Sequence, residues 1–234
     1  MSKHWVKEEL KKNYLAGKTD RFLHWLRHNR ELAAGLGGAA IVAILFTAYL
    51  NNRAQEKREF AWEELFKAEQ TAYRAPEQGI KMLDEVGKTF PGTPAADYAA
   101  LDKGDVLFKT GNYDEAVKSF KAAEAVGNPK TAPFAVNGQA VSLAAQKKYD
   151  EAIAAAQRLV ATYPDSYLIP QAHLFTAQMQ ELSGKKEAAR KTYEKLTTHF
   201  TDTAWAAKAK SRLGALSGMA QTAAASIPPQ NNNQ

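Results

Sequence analysis

Two stretches decide the fold: YDEAVKSFKAAEAVGNPK at 113–130 and YDEAIAAAQRLVATYPDS at 149–166. Two weaker copies flank them, PEQGIKMLDEVGKTFPGT at 76–93 and KKEAARKTYEKLTTHFTD beginning at Lys185. Their small residues, Gly79, Ala116, Ala152 and Ala189, recur at intervals of 37, 36 and 37. Four positions later stand Leu83, Phe120, Ala156 and Tyr193, and three beyond those Val86, Ala123, Leu159 and Leu196. Offsets of 0, 4 and 7 place these residues on one face of a helix. The small residue marks where a neighbouring helix comes closest. Phe90, Tyr163 and Phe200 close three copies, and Pro91 and Pro164 stop two helices because proline offers no amide hydrogen.

A partner helix precedes each copy. Leu101, Gly104, Leu107 and Phe108 lead to the Gly111-Asn112 turn, Val136, Ala140 and Leu143 lead to Tyr149, and His173, Ala177 and Gln180 lead to Gly184. Trp62, Leu65, Phe66 and Tyr73 form the first of these helices, and Trp205, Ala206 and Ala209 begin a capping helix. A period in the thirties with two helices per unit marks a stacked repeat array.

GNYDEA (111–116) and KKYDEA (147–152), each running into a helix stop, resemble the tetratricopeptide repeat (TPR) family over about residues 60–217. The resemblance implies an all-α, right-handed TPR-like solenoid of about four repeats plus a capping helix. The spacing exceeds the family's usual 34, and the first copy lacks Tyr-Asp-Glu-Ala. TFPGTPAADYA and TYPDSYLIPQA look like the envelope subgroup of these repeats.

Residues 32–50, LAAGLGGAAIVAILFTAYL, carry no charge. As a helix they reach roughly 28 Å, close to the thickness of a bilayer's hydrocarbon layer. Glu31 bounds them on one side and Asn51, Asn52 and Arg53 on the other. Thirty-one residues precede the run and no A-x-A site follows it, which argues for a transmembrane helix over a signal peptide. Residues 1–31 contain eight Lys or Arg against four acids, whereas the remainder is nearly balanced at 23 to 21. This bias predicts a cytoplasmic N-terminus and a repeat domain on the far side of the membrane, which for a span in a bacterial inner membrane is the periplasm. Because most of the net charge of +6 lies beside the span, nucleic acid is not an expected partner.

Thr19 and Asp20 suit a helix start, and Phe22, Leu23, Trp25 and Leu26 give an amphipathic interfacial helix feeding the span. The expected organisation is thus a basic segment (1–31), the span (32–50), a juxtamembrane connector (51–59), the repeat domain (60–217) and a disordered tail (218–234). Gly35, Gly37 and Ala40 match G-x-G-x-x-A, but no strand precedes them and no acid follows at the required distance. Gly35 and Ala39 instead form a small-xxx-small pair that could support a homodimer through the span.

Reactive chemistry finds little footing. The absence of cysteine excludes disulfides, thiolate metal sites and cysteine nucleophiles. No phosphate-binding loop, H-E-x-x-H or G-x-S-x-G occurs. His24 and His28 lack a third ligand, and His173 stands where the repeat places a packed ring. No cofactor, metal or catalytic residue is expected. The paired acids Asp114-Glu115 and Asp150-Glu151 begin helices, where the dipole favours them.

By the family pattern, first helices line a concave face carrying Tyr98, Leu101, Asp105, Phe108, Phe134, Asn137, Val141, Leu174 and Gln178. Such a groove would take protein or peptide segments. The whole architecture is similar to the single-span ancillary subunit of the bacterial SecYEG translocon. That likeness implies SecYEG, periplasmic chaperones or emerging polypeptides as partners. The alternatives are a scaffold for envelope or division complexes and a regulatory subunit of a membrane enzyme.

Overall fold

A computed structural model describes residue 21 and residues 24–225, with side chains through residue 217. The described elements are helical throughout. The chain divides into two compact units, one ending at Lys57 and one beginning at Arg58.

In the first unit, residues 24–28 are helical. Thr19, Asp20, Phe22 and Leu23 lie outside the described residues. Helix α1 then runs Arg30–Arg74 and contains the one described stretch long and apolar enough to cross a membrane. None of its apolar window is buried, and Leu36, Ile41, Val42 and Phe46 are all exposed. The juxtamembrane stretch 51–59 is part of this continuous helix. The stretch from Asn51 to Arg74 contains neither glycine nor proline, the residues that most readily interrupt a helix.

The second unit is an antiparallel succession of short helices. The end of α1 supplies the first helix of repeat one, and α2 (Pro76–Thr89) the second. Repeats two, three and four are α3 (Pro94–Lys109) with α4 (Tyr113–Ala125), α5 (Ala132–Ala145) with α6 (Tyr149–Thr162), and α7 (Ile169–Leu182) with α8 (Lys186–His199). Helix α9 (Ala204–Ala225) caps the array. From α2 onward each helix packs on its neighbours in sequence, and α3 also touches α5 across a repeat boundary.

Local chemistry fixes these boundaries. The turns inside repeats two, three and four are built alike. The amides of Asn112, Lys148 and Lys185 donate to the carbonyls of Leu107, Leu143 and Gln180 at 2.9, 3.0 and 2.8 Å. This is the Schellman closure, which places the preceding residue in the left-handed region. Gly111 (φ 80°) and Gly184 (φ 79°) take that conformation freely, whereas repeat three puts Lys147 (φ 62°) there. Between repeats, Thr93 caps α3 by accepting from the Ala96 amide at 3.3 Å, just before Pro94.

The small residues of the second helices sit where expected. Ala116, Ala152 and Ala189 have no exposed surface. At Gly79 a Cβ would lie 2.2 Å from the Cα of Ala72, so only glycine permits that approach. The larger residues meet a matching series on the following first helix: Asp102, Gly138, Phe175 and Arg212. Phe120 fills the gap between Gly104 and Gly138, where a Cβ at either glycine would come within 2.6 Å of its ring. In the next interface the sizes are exchanged, with Ala156 buried and Phe175 packed against the same cluster. In the last, the Tyr193 hydroxyl donates to Glu181 Oε2 at 2.8 Å, and Arg212 of α9 holds the same carboxylate.

The tail differs from expectation. Helix α9 continues to Ala225, beyond the expected boundary at 217, because Ala220 and Ala223 through Ala225 favour helix strongly. Residues 226–234 lie outside the described residues.

Candidate functional site

The nine residues expected to line one groove are distributed among three environments. Leu101 and Leu174 are only 8% and 3% exposed and belong to the core. Their expected groove position is therefore corrected: each points between helices, because leucine at that helical position meets the adjacent second helix. Phe108 and Phe134 are half-buried and pack against the same core cluster as Leu101. Asn137, Val141 and Gln178 are also half-buried. Asp105 is exposed.

Tyr98 and Phe134 do come together. They share a cleft of about 550 Å³ with Pro133, Tyr163, Pro164 and Tyr167, where the ends of α3 and α5 meet the α6–α7 loop. Tyr167 is 73% exposed, and its ring stands edge-on to Phe134 at 5.6 Å. Trp62 extends the aromatic surface, 5.5 Å from the Tyr98 ring. Trp62, Tyr98 and Phe134 occupy successive first helices at intervals of 36, so the repeat itself aligns them. Exposed aromatics held on a rigid frame are what recognition surfaces are made of.

Asp105 lines a different opening, about 420 Å³, between the first helices of repeats one and two. Ala72, Pro76, Leu83 and Val106 form apolar walls, and Glu69, Asp102 and Asp105 contribute three carboxylates against the single ammonium of Lys109. Asp102 Oδ2 is shielded from solvent and has no hydrogen-bond partner. Burial, then the neighbouring Glu69 and Asp105 carboxylates, push the Asp102 carboxyl up to about 7, with Lys109 opposing. Although its side chain reaches solvent, partial desolvation against the neighbouring helix raises Asp105 as well, with Lys109 opposing.

Other polar groups serve the stack. Gln139, almost fully buried, donates to Glu124 at 2.8 Å and accepts from Arg158 at 2.8 Å, tying α4, α5 and α6 together. His173 lies 5.8 Å from the Phe200 ring, and burial, followed by Lys195 and His199, lowers its pKa. Among the described residues no group of three His, Cys, Asp or Glu side chains could hold a metal ion.

Sequence reasoning missed Tyr163, Tyr167, Glu69 and Asp102. The interval of 36 linking Trp62, Tyr98 and Phe134 was a usable signal for the cleft. The carboxylates carried none, because charged residues on helices usually face solvent.

Comparison with known proteins agrees with this architecture. The tetratricopeptide repeat family model matches three overlapping segments, 76–135, 101–167 and 137–203. No curated protein matches the chain. A tetratricopeptide repeat protein from Parabacteroides merdae superposes with a TM-score of 0.54 at 14% identity, covering 68% of this chain and 60% of its own. Aspartyl phosphate phosphatase F from Bacillus subtilis gives 0.53 at 16% identity, covering 66% and 44%. At such identities the likeness speaks for the fold alone. The described helices and the matched repeats, which together span more than half of the sequence, establish that this chain belongs to the tetratricopeptide repeat family.

Proposed function

We propose that the protein is a non-enzymatic scaffold, anchored by α1 in the bacterial inner membrane, whose repeats bind protein segments on the periplasmic side. The SecYEG translocon, periplasmic chaperones and emerging polypeptides are the partners in this reading. The observation that carries it is the open aromatic cleft of Tyr98, Phe134, Tyr163 and Tyr167 on a repeat array of a protein-binding family. The uncharged, unburied stretch of α1 supports an anchor, and the basic residues before it support a cytoplasmic N-terminus. Tethering would confine the repeats near membrane partners and raise their effective concentration there. The small residues Gly35 and Ala39 would allow two such spans to pair.

A photo-crosslinking amino acid at Tyr167, irradiated in intact cells, tests partner and side together. Adducts with translocon subunits or periplasmic chaperones are expected. Adducts with cytosolic proteins alone would overturn the topology. Adducts with division proteins would favour the alternative scaffold.

A further inference from the structure

We propose that the opening between the first helices of repeats one and two receives a lysine or arginine side chain of a bound protein segment. This inference rests on the protein-binding reading above and names the chemistry of one subsite.

The repeat explains why the space exists. At three interfaces the paired positions are filled: Phe120 against Gly138, Ala156 against Phe175, and Tyr193 through Glu181 to Arg212. At the first, Leu83 is shorter than Phe120, and Asp102 stands where glycine, phenylalanine and arginine stand elsewhere. Leu83 and Asp102 border the resulting gap.

The walls fit an aliphatic stem and the floor fits a cation. Ala72, Pro76, Leu83 and Val106 would enclose methylene groups, while Glu69, Asp102 and Asp105 present carboxylates. Asp102 Oδ2 is shielded from solvent and meets no donor, and Lys109 alone opposes the Glu69 and Asp105 carboxylates around it, so a further cation would relieve their repulsion. The last interface shows the same protein solving that problem internally, where Arg212 pairs with Glu181. At the first interface the cation would come from the partner. The carboxylates are not gathered into a metal-binding group, so an organic cation is the better match. The raised pKa of Asp102 agrees with a carboxyl awaiting a counter-charge.

The test pans a displayed library of random twelve-residue peptides on the full-length chain in detergent micelles. Enriched sequences are expected to carry a Lys or Arg beside apolar residues. Resynthesised, they should bind Asp102→Asn at least about tenfold more weakly, with the loss growing as pH rises above 7 in the unaltered chain's favour. Asp105→Asn, at an exposed position, should weaken binding in the same direction if Asp102→Asn fails to fold. Enriched peptides that lack cations, or that bind both variants undiminished, would overturn the inference while leaving the protein-binding reading intact. No enrichment on the unaltered chain would overturn both.

Discussion

The interface between repeats two and three differs most from the one before it. Around Phe120 the chain is dry and close-packed, with an aromatic ring filling a slot that two glycines hold open. Around Leu83 the equivalent slot is open to solvent and edged by carboxylates. Both are made by the same helix, α3: Gly104 faces Phe120, and Asp102, two residues earlier, faces the opening. A repeat family can therefore keep its stacking geometry while varying what fills each junction. At two junctions one large and one small residue share the space, Phe120 with Gly138 and Ala156 with Phe175, since a filled junction needs total volume and tolerates its division. A junction left unfilled is where a ligand can supply the missing atoms.

The sharpest way to break this comparison is to give the filled junction the open junction's residue. Gly138→Asp would set a Cβ 2.6 Å from the Phe120 ring and a carboxylate in a dry site. It should cost at least about 3 kcal/mol in chemical unfolding of the full chain. A neutral result would mean that the ring moves aside freely and that the junctions are equivalent.

A smaller effect is expected at the last junction. Tyr193→Phe keeps the ring but removes the hydroxyl that donates to Glu181. Arg212 still holds that carboxylate, so the loss should be about 1–2 kcal/mol in the same unfolding measurement. An unchanged midpoint would show that the ring alone completes this junction.

The smallest effect is a pH dependence at the open junction. Asp102 titrates near 7 when folded, above its ordinary 3.8, because it is buried beside Glu69 and Asp105 with only Lys109 opposing. A carboxyl with a raised folded pKa stabilises the fold fully below its unfolded value. That contribution is lost as pH rises toward the folded value. The unaltered chain should therefore lose stability relative to Asp102→Asn between about pH 4 and pH 7, followed by thermal melts. Parallel melting curves across that range would remove the electrostatic half of the comparison.

The sequence was most informative where one residue type answers one physical demand. Ala116, Ala152 and Ala189 mark close helix approaches, and all three are fully buried. The Schellman turns were legible at Gly111 and Gly184 but not at Lys147, which adopts the same left-handed conformation without the residue that advertises it. The juxtamembrane connector at 51–59 was legible only as a change in polarity, which says nothing of backbone conformation, and the helix runs through it. Glycine and proline interrupt a helix most readily, and neither is present there.

By itself the sequence determined the repeat, its helical period, the family and the single apolar stretch, because each is a pattern along the chain. Tertiary structure decided which residues of the first helices are reachable. Leu101 and Leu174 turned inward, Tyr98 and Phe134 met Tyr167 from a loop about 30 residues beyond Phe134, and one carboxyl oxygen of Asp102, Oδ2, lost its solvent. The physical reason is that burial belongs to the pairing of two helices. One helix's periodicity fixes which face turns toward its neighbour, but whether that neighbour fills the space depends on a residue 18 or 19 positions away, as Leu83 does for Asp102 and Phe120 for Gly138.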